Sequence, residues 1–149
     1  MLCILGVMHI SASKPKSAME VESDCFDFIN KERTKKDLSE LTSVPYLQEL
    51  AREHSTKMSQ YIRGFGHKGW DERADLIFEK IEVEFVAENV GFNQGYDDPA
   101  EHVVEGWMKS RQHKENILNE DFDITGIGVA KSTDGTYYFT QIFASYLSE

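Results

Sequence analysis

Apolar residues recur at helical spacing in four stretches of the chain. Val21, Cys25, Phe28 and Ile29 share one face of a helix predicted over residues 19–36. A loop over residues 38–45 follows, with apolar anchors at Leu38, Leu41 and Val44. Ser43 is placed to cap a second helix over 44–61, whose buried stripe is Leu47, Leu50, Ala51, His54 and Met58. His54 reads as a core-edge member of that stripe and is assigned no chemistry. Gly64, Gly66 and Gly69 then break the pattern around His67, and a shorter helix over 71–81 carries Ala74, Ile77, Phe78 and Ile81 on one side.

The best-signalled helix comes later. Asp98 can cap it, Pro99 suits its first position, and Glu101 stands where a capping-box carboxylate belongs. Val103, Val104, Trp107 and Met108 form its stripe, which stops at Ser110, Arg111 and Gln112. His113 falls just past the predicted end, before Ile117 and Leu118 resume the apolar pattern. Residues 83–92 read as a short strand or an irregular apolar segment carrying Glu88 and Asn89. Residues 124–130 read as a short buried strand, residues 136–146 are rich in aromatic and β-branched types, and Asp134-Gly135 between them signals a hairpin. Helices first and a hairpin last predict an α+β domain with an antiparallel sheet and helices packed on it.

Composition narrows the partners. The chain has 149 residues, enough for one domain, and a formal net charge of −10. Such an excess of carboxylates repels phosphate backbones, so nucleic acid and anionic membrane surfaces are poor partners. No run reaches the roughly 18 apolar residues that a membrane span needs. Two cysteines, Cys3 and Cys25, are no disulfide framework, and whether they pair cannot be deduced from sequence. Residues 1–12 form an apolar run ending in small residues, without a basic residue ahead of it. Residues 1–18 are therefore a signal remnant or an N-terminal arm, with 13–17 as a linker, and 19–149 form the domain.

Several catalytic signatures are absent: HExxH, GxSxG, a phosphate loop and CxxC. Asp121, Asp123 and Gly126 imitate the start of a calcium loop, but Ser132 stands where the bidentate Glu belongs. What remains is His67, Glu88, Glu105 and His113. Imidazoles suit zinc, and a nearby carboxylate can ligate, orient or act as a base. Their spacing alone does not bring them together.

At this point the residues carry a resemblance. Phe28-Ile29-Asn30-Lys31-Glu32-Arg33, His67, Ala87-Glu88-Asn89-Val90, Gly106 to Ser110 running into His113, Asn116-Ile117-Leu118, Gly126 to Ala130 and Tyr138 to Phe143 appear in the order of the CAP superfamily, or SCP domain. The chain resembles its short, disulfide-poor bacterial form over about residues 22–146. The resemblance implies a three-layer α-β-α sandwich, usually secreted, with a central cleft. In many members two histidines and two acidic residues line that cleft and the histidines can bind zinc. His67, Glu88 and His113 match; Asn89 adjoins them. The fourth position, acidic in animal-type members, is Ser110 here. Glu105 is the nearest carboxylate, but it points about 140° away from Ser110 on a helix.

Three readings follow. The first is a module that binds a metal and a lipid, sterol, fatty acid or protein ligand, as some family members do. The second is a zinc-dependent peptidase, with metal on His67 and His113 and Glu88 as general base. The third is a polar cluster that only fixes loop packing.

Overall fold

The structure, a computed structural model, describes residues 14–62 and 64–147. The expectation for the apolar N-terminal run, and the question of whether Cys3 pairs, lie outside these residues. Cys25 is fully buried in the core, and that burial pushes its thiol pKa up. Helix α1 spans Ala18–Thr34 and starts on a capping box: Ser17 Oγ accepts from Glu20 N, and Glu20 Oε2 accepts from Ser17 N. The end of the stretch read as a linker is docked. Lys16 Nζ pairs with Asp24 and Asp98 at 2.7 and 2.8 Å, and Tyr137 Oη donates to Lys16 O.

The next elements are β1 (Thr42–Ser43), α2 (Pro45–Ser59), α3 (Trp70–Lys80) and β2 (Val83–Asn93). They are followed by α4 (Pro99–Lys109), α5 (Arg111–Ile117), β3 (Ile124–Lys131) and β4 (Tyr137–Tyr146). Three local expectations change. Ser43 does not cap α2; it lies in β1, and Val44 precedes Pro45 with no side-chain cap. Residues 83–92 are a full strand. On α3 the buried face is Arg73 and Ile77, while Phe78 is about half exposed.

The sheet runs β1-β3-β4-β2. β4 pairs antiparallel with β2 and β3, but β1 pairs parallel with β3, Thr42 opposite Ile124. The expected antiparallel sheet is therefore mixed. The chain reaches β1 through α1 and a loop rather than a hairpin, so its direction is not set by a tight turn. Two helical layers cover the sheet. Val21, Cys25, Ile29, Val103, Val104, Trp107 and Ile117 from α1, α4 and α5 pack with Phe139 and Phe143. Leu47, Leu50, Ala51 and Ile77 from α2 and α3 pack with Ile124, Ile142 and Ala144 on the opposite face.

Buried polar groups tie the layers. Asn30 accepts from Leu41 N and donates to Leu41 O, closing the loop after α1 as a strand partner would. Arg33 is 1% exposed and donates to the carbonyls of Ser39, Ile117, Asn119 and Phe122. One buried guanidinium thus ties α1 to the loop after it, to the end of α5 and to the segment that follows α5.

Candidate functional site

β2 is an edge strand, and that fact builds the site. Neighbouring strand residues point to opposite faces. Val86 and Val90 pack with the α2 side, whereas Ala87 packs with the α1, α4 and α5 side. Glu88 thus faces α3 and Asn89 faces α5. In the middle of a sheet these two side chains would serve separate cores. At an edge, groups from both faces can meet around the strand.

On the α3 side, His67 Nδ1 lies 3.0 Å from Glu88 Oε1. Arg73 holds the same carboxylate in a bidentate pair, Nε to Oε2 and Nη2 to Oε1, each at 2.8 Å. The Glu88 side chain is 1% exposed and that of Arg73 is 8%, while that of His67 is 52% exposed. A carboxylate only accepts, so His67 Nδ1 carries the proton of this bond. Arg73 is the residue that pattern reading missed. Its signal was phase: it stands one helical turn before Ile77, on the face that α3 buries.

On the α5 side, Ser110 ends α4 and opens α5. His113 therefore sits on a second helix rather than in a loop past the first. Its Nδ1 lies 2.8 Å from Ser110 Oγ. Asn89 Nδ2 donates to His113 O and Asn89 Oδ1 accepts from Asn116, so Asn89 fixes α5 against β2. Trp107 Nε1 donates to Val90 O and anchors α4 to the same edge. Burial, with a smaller contribution from the nearby His67, pushes the His113 pKa below its ordinary value.

Glu105 is not brought to this constellation. It lines a groove between α1 and α4 with Phe28, Lys31 and Met108, its side chain is 58% exposed, and it faces Lys109 at 3.9 Å. The rotation that separates it from Ser110 on α4 accounts for this. Among the described residues no group of three or more His, Cys, Asp or Glu side chains is placed to hold a metal ion. The donors the edge offers a cation are the two imidazoles, backed by Glu88 and Ser110.

Residues 26–143 match the model of the cysteine-rich secretory protein family, CAP, and the chain belongs to that family. The uncharacterized membrane protein YlbC of Bacillus subtilis is 31% identical over 125 residues, 82% of this chain. The chain spans 34% of the length of that relative. An outer surface protein from Borrelia burgdorferi superposes with a TM-score of 0.72 at 21% identity, over 91% of this chain and all of that one. An extracellular SCP-domain protein from Bacillus anthracis gives 0.70 at 23% identity, over 89% and 45%. No described helix is long and apolar enough to cross a membrane.

Proposed function

We propose that the chain is an extracellular binding module whose edge cleft takes a divalent cation, zinc by donor type, and captures a lipid or protein ligand beside it. The carrying observation is that each imidazole commits Nδ1 to a protein partner, His67 to Glu88 and His113 to Ser110. That arrangement orients Nε2 for a ligand, as a carboxylate behind a metal-bound histidine does. The lowered pKa of His113 keeps it neutral and ready to coordinate near neutral pH. A cation there would supply a positive anchor for an anionic group. Two protein ligands make it weak and exchangeable. The extracellular setting follows the Bacillus anthracis neighbour.

Capture is favoured over hydrolysis by the state of Glu88. Its charge is matched by a buried bidentate guanidinium, and one of its oxygens also serves His67. A general base needs an uncommitted lone pair within reach of water. Zinc titration of wild type, His67→Ala and His113→Ala by calorimetry tests the reading. Binding lost in both variants supports it, and equal binding in all three overturns the metal. A lipid pull-down on the purified chain tests ligand capture. Chelator-sensitive cleavage of casein that disappears in Glu88→Gln would establish the peptidase instead.

A further inference from the structure

We propose that His54 is a positioning residue for His67, acting through the backbone carbonyl of Gly66. His54 lies on α2, is 1% exposed, and places Nε2 2.7 Å from Gly66 O. A carbonyl only accepts, so Nε2 carries the proton. The loop from Gly64 to Gly69 packs through Phe65, whose ring meets Phe92 of β2 edge-on at 4.8 Å, but at its glycines it is open: among the described residues, a Cβ at Gly64 or Gly66 would meet nothing within 4 Å. Gly66 takes φ +133°, a conformation that other residues rarely adopt. Between Gly66 and α3, hydrogen bonds therefore carry much of the definition of the loop backbone.

Three successive carbonyls are held. Gly66 O accepts from His54, His67 O from Trp70 N, and Lys68 O from Arg73 Nη1. The last two donors belong to α3, which begins only three residues after His67. His54 alone of the three comes from α2, the helix packed on the centre of the sheet. Among the described residues, the half-exposed His67 ring has one side-chain hydrogen-bond partner, Glu88. Its approach to Glu88 is thus set by where the backbone delivers it. Removing the His54 donor frees Gly66, and the ring leaves Glu88 without any ligand-contacting group being altered.

The metal half of the consequence rests on the cleft reading above, so the test has a metal-free readout. In 15N NMR of the full chain without metal, wild-type His67 shows the Nδ1–H tautomer that its carboxylate bond requires. His54→Leu shifts it toward the Nε2–H tautomer that free imidazole prefers, and His54→Gln, whose amide can donate to Gly66 O, restores the wild-type pattern. Zinc affinity falls about tenfold or more in His54→Leu, as for loss of other groups that orient ligands, and recovers in His54→Gln. A folded His54→Leu with an unchanged His67 spectrum overturns the proposal, as does a His54→Gln spectrum matching that of His54→Leu. Should wild type bind no zinc, the cleft reading fails while the tautomer still decides this one. If His54→Leu does not fold, scalar coupling between His54 Nε2 and the Gly66 carbonyl in wild type decides: coupling with an unchanged His67 in His54→Gln supports the role, and no coupling overturns it.

Discussion

Glu88 is a buried anion whose partner can be removed on its own. Arg73→Met leaves the carboxylate in the interior with only the half-exposed His67 beside it, which costs about 3–5 kcal/mol for a broken buried pair. Adding Glu88→Gln removes the stranded charge, so the double variant regains a large part of that loss. Urea unfolding midpoints of the single and double variants check the sign. His113 gives a second residue-level prediction. Its folded pKa lies below the unfolded value, so the unfolded chain binds the proton more readily. Its contribution to stability is present above an unfolded pKa of about 6.5 and is lost as pH falls through the folded value. The fall in urea midpoint between about pH 7.5 and 5 is therefore smaller in His113→Gln. His67, Glu88 and His113 were singled out through the family resemblance, on whose motifs they fall in order, since their spacing alone does not join them. Arg73 and His54 were not, because a buried polar residue on a helical stripe reads as surface or core until its partner is known.

Gly126 and Gly128 show why GIGVA is more than a strand. They alternate with Ile127, so both project to the α2 face. A Cβ at 126 would sit 2.2 Å from the backbone of Leu47 and Gln48, and one at 128 would sit 2.0 Å from Arg52 N. Backbone does not yield as a side-chain tip does, so α2 would have to lift off β3. Gly126→Ala or Gly128→Ala is expected to cost several kcal/mol, at or above the usual penalty of about 1–3 for overpacking, or to prevent folding. Gly106 is the control. It lies within α4, where an added Cβ meets nothing within 4 Å among the described residues, so Gly106→Ala stabilises by about 1 kcal/mol through helix propensity. Thermal unfolding of the three variants separates the cases. Periodicity gave the elements, since α1, α2, α4, β3 and β4 have strong apolar stripes. It missed β1, which has only Thr42 and Ser43 and is exposed, and it missed α5, whose seven residues bury Ile117 alone. Elements that short are defined by their partners rather than by their own pattern.

The two helical layers meet around the sheet at both of its long edges, by different chemistry. At β2 the meeting point is the candidate cleft. At β3 it is an ion pair: β1 covers only Ile124 and Thr125, and beyond it Glu22 of α1 accepts from Val129 N at 3.0 Å. Arg52 of α2 reaches the same carboxylate at 2.6 and 2.8 Å. This junction was illegible in the sequence, because Glu22 and Arg52 look like ordinary charged residues on two helices, 30 positions apart. The layered fold itself was readable from the family motifs, yet nothing in them says which layer supplies which donor. Glu22→Leu removes the carboxylate, strands the Val129 N–H and frees an arginine whose side chain, 45% exposed, can return to water. The expected cost is about 2–3 kcal/mol, carried mainly by the unsatisfied amide and lost packing rather than by a buried cation. Because β4 and its packed core separate this edge from β2, the effect should add to that of Arg73→Met rather than couple with it. Glu22→Leu is then expected to lower the urea midpoint while leaving the His67 tautomer and any zinc affinity as in wild type. Arg73→Met changes both. A cleft signal that moved with Glu22→Leu would mean that the edges are not independent and that the site depends on how the layers clamp as a whole.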